Sequence, residues 1–327
     1  MTKLTTGVVG LGDTIFHLEA YASSPKVDRV VICDSDTRRT DALRRQFPKV
    51  GAVYQDLGAM LRDENLDVVS LAVEHDQNLD CGATILNAGA NLILTQPFAK
   101  DLDAAEEIVR IADKRGVRLM VSQEARFRPR FVKIRQLIER GFFGEIIHIR
   151  MGGALHVDEP APEVGDDRER NLTAGPIEEI DLLRFLVNEE IVDVTAVSNE
   201  PRPPNQSGEP ICALFRFAGG CIGQTMIDND YRKAKRTPID DQFRLIGSKG
   251  MAVGRRAYSD GLSAWTPLPN DHDEARIGAI AAVSSLVNSL WSGVQLGAAT
   301  EEALIPLRLR HAVDQAMASR HQIFVAR

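Results

Sequence analysis

Several short stretches carry residues whose types and spacing suit chemistry on a small molecule. In GVVGLGDT, Gly10 and Gly12 follow an apolar run. That spacing allows a tight turn and lets a pyrophosphate approach a helix N-terminus. The third glycine of a G-x-G-x-x-G turn would fall at residue 15, where Ile15 stands. Asp34 ends the run VDRVVIC, 22 residues beyond Gly12. A carboxylate there accepts hydrogen bonds from an adenosine ribose and repels a 2′-phosphate. NAD is therefore the expected cofactor and NADP the less favoured one, with Arg38 and Arg39 close enough to soften the exclusion. Loss of nucleotide binding is the alternative.

The segment NLILTQP poses a different problem. Proline cannot donate to a sheet ladder, so the strand ends at Pro97 and leaves Gln96 at its C-terminal lip. A carboxamide does not titrate near neutral pH, so Gln96 can orient a cofactor or substrate but cannot take its proton. Pro97 is assigned to the same cofactor-facing turn. Titratable candidates lie elsewhere. His75, in VEHDQN, is either a proton carrier or a solvated loop residue. Glu178 and Glu179 precede IDLLRFL and either favour the dipole at a helix start or, for Glu178, act as acid or base. Asp181 stands one turn further on. Arg126 and Arg128, in QEARFRPRF, suit a carboxylate, phosphate or sugar hydroxyl, or else form the surface of a basic helix. Tyr231 and Lys233, in DNDYRKAKR, are substrate-facing candidates or parts of a solvated hairpin. His156, Asp158 and Glu159 are too few and too acidic a set to imply a metal site.

The elements that must position these groups alternate. Strand-like runs cover 5–10, 27–34, 66–73, 91–95 and 117–122, with amphipathic helices between them, which implies a parallel sheet covered on both faces. Asp101 is expected to cap one helix, and Gly89 and Gly116 to close two. After residue 122 the rhythm changes to a helix over about 129–140 and a strand in GEIIHIRMGG. An acidic, proline-bearing loop, HVDEPAPEVGDDRERN, leads to a helix over PIEEIDLLRFLVN. Five alternating runs and two terminal helices, about 272–292 and 300–319, complete the pattern. The fold class is thus α/β: a Rossmann-type parallel sheet in 1–122, then an α+β domain, 123–327, on an open, mainly antiparallel sheet. A net charge of −7 argues against nucleic acid as a partner. The N-terminus is expected to carry no secretory leader, no stretch suits a membrane span, and a cytoplasmic location follows. The four cysteines lack a C-x-x-C pair and read as buried, reduced thiols. No G-x-S-x-G motif supports acyl transfer.

The order of these motifs resembles the glucose–fructose oxidoreductase/inositol dehydrogenase/MocA family. GLGD and VVICDSD are similar to its first strand ends, and ILNAGANLILTQP to the strand that leads into its Glu-Lys-Pro. RFRPRFVKIRQLIERGFFGEI and LIGSKGMAV are similar to its Arg-Phe-x-Pro helix and its glycine hairpin. The resemblance implies NAD(P)-linked chemistry on a sugar, a cyclitol or a related carbonyl compound, and a homodimer or tetramer built through the C-terminal sheet. It also implies a lysine where Gln96 stands, and an aspartate and a histidine where Ala174 and Glu178 stand. Its Thr-Pro-x-x-x-His segment falls on Val73–Asn78, without the proline or the histidine. With those groups replaced, the expected catalytic set is Glu178, His75, Gln96 and Asp181. A non-redox lyase or hydrolase, or an inactive ligand-binding protein, is the alternative.

Overall fold

The computed structural model describes residues 2–12, 14–73, 77–96, 98–99, 101–154, 167–198, 211–228, 243–293 and 299–325. The chain divides into two compact units, Met1–Arg128 with Asp273–Ile305, and Pro129–His272 with Pro306–Arg327.

The first unit is built on β1 (Leu4–Val9), β2 (Val27–Cys33), β3 (Val50–Tyr54), β4 (Val68–Leu71), β5 (Asn91–Leu94) and β6 (Leu119–Val121). They form a six-stranded sheet in the order β3-β2-β1-β4-β5-β6, parallel throughout. The connections are α1 (Ile15–Ser23), α2 (Thr37–Gln46), α3 (Leu57–Asp63), α4 (Asn78–Asn87) and α5 (Leu102–Arg115). Burial on both faces explains the near-continuous apolar runs: every residue of β4 and β6 is buried. Asp101 accepts from the Ala104 amide at the start of α5, and Gly116 closes that helix in the left-handed region, as their types require. Edge strand β3 was not anticipated. Its VGAVY carries Gly51 and has only Val50 buried, so its pattern is weak.

Strand order reverses between β1 and β4, the switch point beyond which open α/β sheets bind ligands. At the same rim, β6 leads into a 3-10 turn, Glu124–Phe127. Arg126 and Arg128 therefore close the first unit instead of opening the second. A later helix, α8 (Glu274–Ser292), also joins this unit, although the sequence pattern placed 123–327 together. The cause is apolar. Val283 and Val287 are buried with Leu18 and Tyr21 of α1 and Met120 of β6.

The second unit begins with α6 (Pro129–Glu139) and β7 (Ile146–Ala154), followed by α7 (Asp167–Val187). Then come β8 (Ile191–Ser198), β9 (Ile211–Phe217), β10 (Ile222–Asp228), β11 (Arg244–Gly247), β12 (Gly250–Val253), β13 (Arg256–Ser259) and β14 (Thr266–Pro267). Helix α9 (Ala299–Ser319) spans the division at Pro306, and β15 (Ile323–Phe324) ends the sheet. Nine strands run in the order β14-β13-β12-β11-β7-β10-β9-β8-β15, with β7 and β10 parallel and the other pairs antiparallel. LIGSKGMAV is the β11–β12 hairpin. Helix α7 packs on β7 and β10, where an added Cβ at Gly223 would lie 3.3 Å from Leu183.

Helix α7 starts earlier than its sequence suggests. Gly175-Pro176 reads as a helix start, yet the helix begins at Asp167 and absorbs the end of the acidic segment. Glu178 and Glu179 are consequently mid-helix, beyond the reach of the N-terminal dipole. Two of the four thiols, Cys33 and Cys221, are buried, whereas Cys81 and Cys212 are half-buried.

At the rim, α8 approaches the 3-10 turn closely at Gly278. A Cβ there would meet the Glu124 carbonyl oxygen at 2.7 Å and Arg128 Cγ at 3.1 Å. Gly278→Ala is expected to destabilise the protein by about 1–3 kcal/mol through overpacking against backbone. Thermal denaturation of the full chain checks this through a fall of several degrees in Tm.

Candidate active site

The glycine turn is set by contact with the neighbouring strand. Gly10 has φ +76°, and a Cβ on it would lie 1.9 Å from the Ala72 carbonyl oxygen, just past β4. No side chain fits between these backbones. Nothing lies within 4 Å of a Cβ built on Gly12, so the turn presents an open face. Thr14 donates its hydroxyl to the Gly10 carbonyl, and α1 starts at Ile15 with no acidic residue in its first turn. Its leading amides suit an anion. The Leu11 amide donates to Asp34 Oδ2 at 2.8 Å, and the Asp36 amide donates to Asp34 Oδ1 at 2.8 Å. Asp34 Oδ1 keeps a lone pair for a further donor, such as a ribose hydroxyl. Arg39 Nη1 approaches Asp34 Oδ2 to 3.4 Å. A turn without room for Cβ, a helix with no acidic residue in its first turn and a carboxylate at the β2 end together fit a dinucleotide.

The rim formed by the ends of β4 and β5 carries amides. Gln96 follows β5, and both its Oε1 and Nε2 are buried without a hydrogen-bond partner. Asn78 opens α4, is 2% exposed, and its Oδ1 is likewise unpaired. An unpaired buried polar atom costs about 1–3 kcal/mol, so these atoms are not there for stability.

Beneath the rim runs a polar chain that sequence reasoning did not find. His17 of α1 is fully buried; its Nδ1 lies 3.0 Å from Ser70 Oγ and its Nε2 3.2 Å from Glu124 Oε1. The Tyr21 hydroxyl is 2.6 Å from Ser70 Oγ, and Ser122 donates to Glu124 Oε1 at 3.2 Å. Burial pushes the Tyr21 phenol well above its ordinary range, more than Ser70 lowers it. The Glu124 carboxylate can only accept, so His17 Nε2–H donates to it, and Ser70 links Nδ1 to the Tyr21 hydroxyl. This chain fastens the helix after the glycine turn to the 3-10 turn bearing Arg126. Arg126 Nη2 lies 3.8 Å from the Glu302 carboxylate. The only sequence signal was a histidine and a tyrosine four residues apart on an apolar helix.

In the second unit, Glu178 is partly exposed and Asp181 is 3% exposed, one turn apart on α7. Each has an interaction partner. The side chain of Ala174 is outside the described set, and so are His75, Pro97, Tyr231, Lys233, His156, Asp158 and Glu159. Among the described residues no group of three or more His, Cys, Asp or Glu could hold a metal, and no helix is long and apolar enough to cross a membrane.

Comparison with known proteins meets this geometry. Residues 4–123 match the family described as oxidoreductases with an NAD-binding Rossmann fold, and residues 131–253 match the GFO/IDH/MocA C-terminal domain. The chain belongs to the GFO/IDH/MocA oxidoreductase family, whose members include inositol, apiose and levoglucosan dehydrogenases. It is 22% identical to an inositol 2-dehydrogenase of Rhizobium meliloti over 95% of both chains. It shares its fold with levoglucosan dehydrogenase in complex with NADH and levoglucosan, at 18% identity and a TM-score of 0.83 over the full length of both chains. An oxidoreductase from Agrobacterium radiobacter in complex with NAD+, L-tartaric acid and magnesium shares it also, at 19% identity and a TM-score of 0.82 over 99% and 98% of the two chains.

Two outcomes follow. Gly10→Ala forces a Cβ into the Ala72 carbonyl and is expected to abolish nicotinamide-dinucleotide binding, followed by cofactor fluorescence, and to lower Tm. Burial raises the Cys33 thiol to about 11 and the Cys221 thiol to about 12, with nearby acids adding to both. Fewer thiolates form, so at mildly alkaline pH both are expected to resist a thiol reagent until the protein is denatured. Mass mapping of the labelled cysteines checks this.

Proposed function

We propose that the protein is an NAD(H)-dependent oxidoreductase acting on a small polyhydroxylated sugar, cyclitol or related carbonyl compound, with altered acid/base residues. The observation that carries this reading is the glycine turn closed on Ala72 with Asp34 bonded to its Leu11 amide. NAD is preferred over NADP because a 2′-phosphate would meet the Asp34 carboxylate, which Arg39 only partly offsets. Residues 1–122 supply the dinucleotide-binding framework, completed by α8, and the later sheet domain supplies substrate binding and assembly.

When bound, NAD supplies hydride acceptance, or NADH donation, at the nicotinamide. The chain's residues must bind, orient and exchange a proton. Gly10, Gly12 and the amides at the start of α1 would hold the pyrophosphate, and Asp34 would hold the adenosine ribose. Gln96 and Pro97 would face the nicotinamide when it is bound, with Gln96 orienting the substrate. Removing the hydroxyl proton requires a base, which Gln96 cannot be. Glu178 is assigned this role, since its mid-helix place removes the capping explanation and its side chain is partly exposed. Asp181 positions Glu178 from one turn away. His75 is the second proton carrier, while Arg126, Arg128, Tyr231 and Lys233 contact substrate.

Assembly as a homodimer, or a dimer of dimers, uses the sheet face opposite α7. Val197, Leu214, Ile222 and Val253 are 62%, 45%, 38% and 43% exposed on that face. Their registers run through Gln224 and Arg150 in continuous rows, so the exposed apolar groups share one surface. A cytoplasmic setting suits the free thiols of this reading.

Titration with NADH and NADPH, followed by fluorescence, is expected to show tighter NADH binding; binding of neither sinks the oxidoreductase reading. Screening sugars, cyclitols and their keto forms at the nicotinamide absorbance then identifies the substrate. Glu178→Gln is expected to lower kcat about 10²–10⁴-fold with NADH binding unchanged. Turnover without net nicotinamide change selects a lyase or hydrolase instead.

A further inference from the structure

A run of hydrogen bonds leads from the glycine turn to the β6 edge of the parallel sheet, all within the first unit. The Gly10 carbonyl accepts from the Thr14 hydroxyl, and the Thr14 carbonyl accepts from the His17 amide at 3.0 Å. The His17 ring then reaches Ser70 Oγ through Nδ1 at 3.0 Å and Glu124 Oε1 through Nε2 at 3.2 Å. Thr14 and His17 are both 0% exposed, so bulk water does not compete for these bonds. Rotating the imidazole would break its bonds to two other elements at once.

The receiving end is weakly held on its own. Glu124–Phe127 is a single 3-10 turn, and hydrogen-bond geometry in such turns is poor. The Arg126 amide donates to the Gln123 carbonyl, and the Arg128 amide to that of Ala125, each at 3.2 Å. His17 Nε2 and the Ser122 hydroxyl both donate to the same Glu124 atom, Oε1. The turn is therefore tied to α1 by a histidine 107 residues earlier in the chain. A segment of low local stability opens more often when such a tie is lost and less often when its anchor is held. A pyrophosphate on the leading amides of α1 would hold that anchor. His17 is the third residue of the helix, about 3 Å along its axis from the start.

We propose that His17 is a positioning residue, which carries occupancy of the glycine turn to the Glu124–Phe127 turn and so steadies Arg126 when the cofactor is bound. Fully buried, His17 touches no ligand; it acts through Glu124. The inference rests on the cofactor reading of the glycine turn and goes beyond it, because it assigns the turn after β6 a response to nucleotide.

Hydrogen exchange read by mass spectrometry on the full chain, with and without saturating NADH, tests this, and NADH affinity is measured separately by fluorescence. In wild type, NADH is expected to slow exchange of the amides of residues 122–128 about fivefold or more, within the ordinary range of coupling between sites. In His17→Phe, which keeps a ring but no donor, NADH is expected to slow exchange at residues 10–17 and leave 122–128 unchanged. His17→Gln keeps a donor at a reach similar to that of the imidazole Nε2 and is expected to restore the response. Tyr21→Phe removes the hydroxyl bonded to Ser70 but not the bond from His17 to Glu124. It is expected to lower Tm yet keep the response, which separates positioning from stability alone. Where His17→Phe does not fold, Glu124→Ala cuts the same bond from its partly exposed end and is expected to give the same loss. A wild-type response that survives both substitutions, or none at 122–128 with NADH bound, overturns the proposal. Equal loss in Tyr21→Phe and His17→Gln marks a general loosening of α1 and overturns it too. Absence of NADH binding sinks the cofactor reading and the coupling with it, and the measured affinity tells that failure from the others.

Discussion

The first unit depends on how closely two backbones meet at Gly10. Strands β1 and β4 are hydrogen-bonded neighbours, so the chain leaving β1 must cross the Ala72 carbonyl with no side chain in between. That crossing fixes where α1 can begin. It aims the Leu11 amide at Asp34, and it places His17 where one imidazole reaches both Ser70 on β4 and Glu124 beyond β6. One steric constraint thus sets the cofactor turn, the buried polar chain and the turn bearing Arg126. Close packing makes such an arrangement hard to deform continuously.

Polar groups at the rim and below it are treated differently. In the core, His17, Ser70, Tyr21 and Glu124 bond to one another, which keeps burial from being costly. At the rim, Asn78 and Gln96 keep unpaired atoms. Unpaired buried groups persist where a function needs them and the surrounding fold is stable enough to carry the loss. The contrast is between that internally bonded chain and two rim amides that keep unpaired atoms, as the buried Thr6 and Thr225 hydroxyls also do.

Much of this was legible in the residues. Asp101 before an amphipathic run and Gly116 after it marked α5, and the paired glycines of LIGSKGMAV marked a hairpin. The glycine turn and Asp34 were readable because backbone sterics and charge leave few substitutes there. Other features were not. Gly51 blurred edge strand β3, and Gly175-Pro176 punctuated a helix that continues through them. The role of His17 was hidden because its partners lie 53 and 107 residues away. The return of α8 was illegible for the same reason: an apolar stripe tells that a helix is covered, but not by which part of the chain.

That return has a consequence for how the protein is made. Residues through Arg128 leave the ribosome with every strand of the parallel sheet, yet the face that Val283 and Val287 cover stays open until about 150 further residues are synthesised. At bacterial or eukaryotic elongation rates that interval lasts roughly 7–30 s, long compared with the formation of any helix or hairpin. During it the nascent chain exposes apolar surface around Leu18 and Tyr21, beside a parallel sheet already able to assemble. The order of folding is therefore not the order of the sequence, and that face stays open to solvent until the last sixth of the chain arrives.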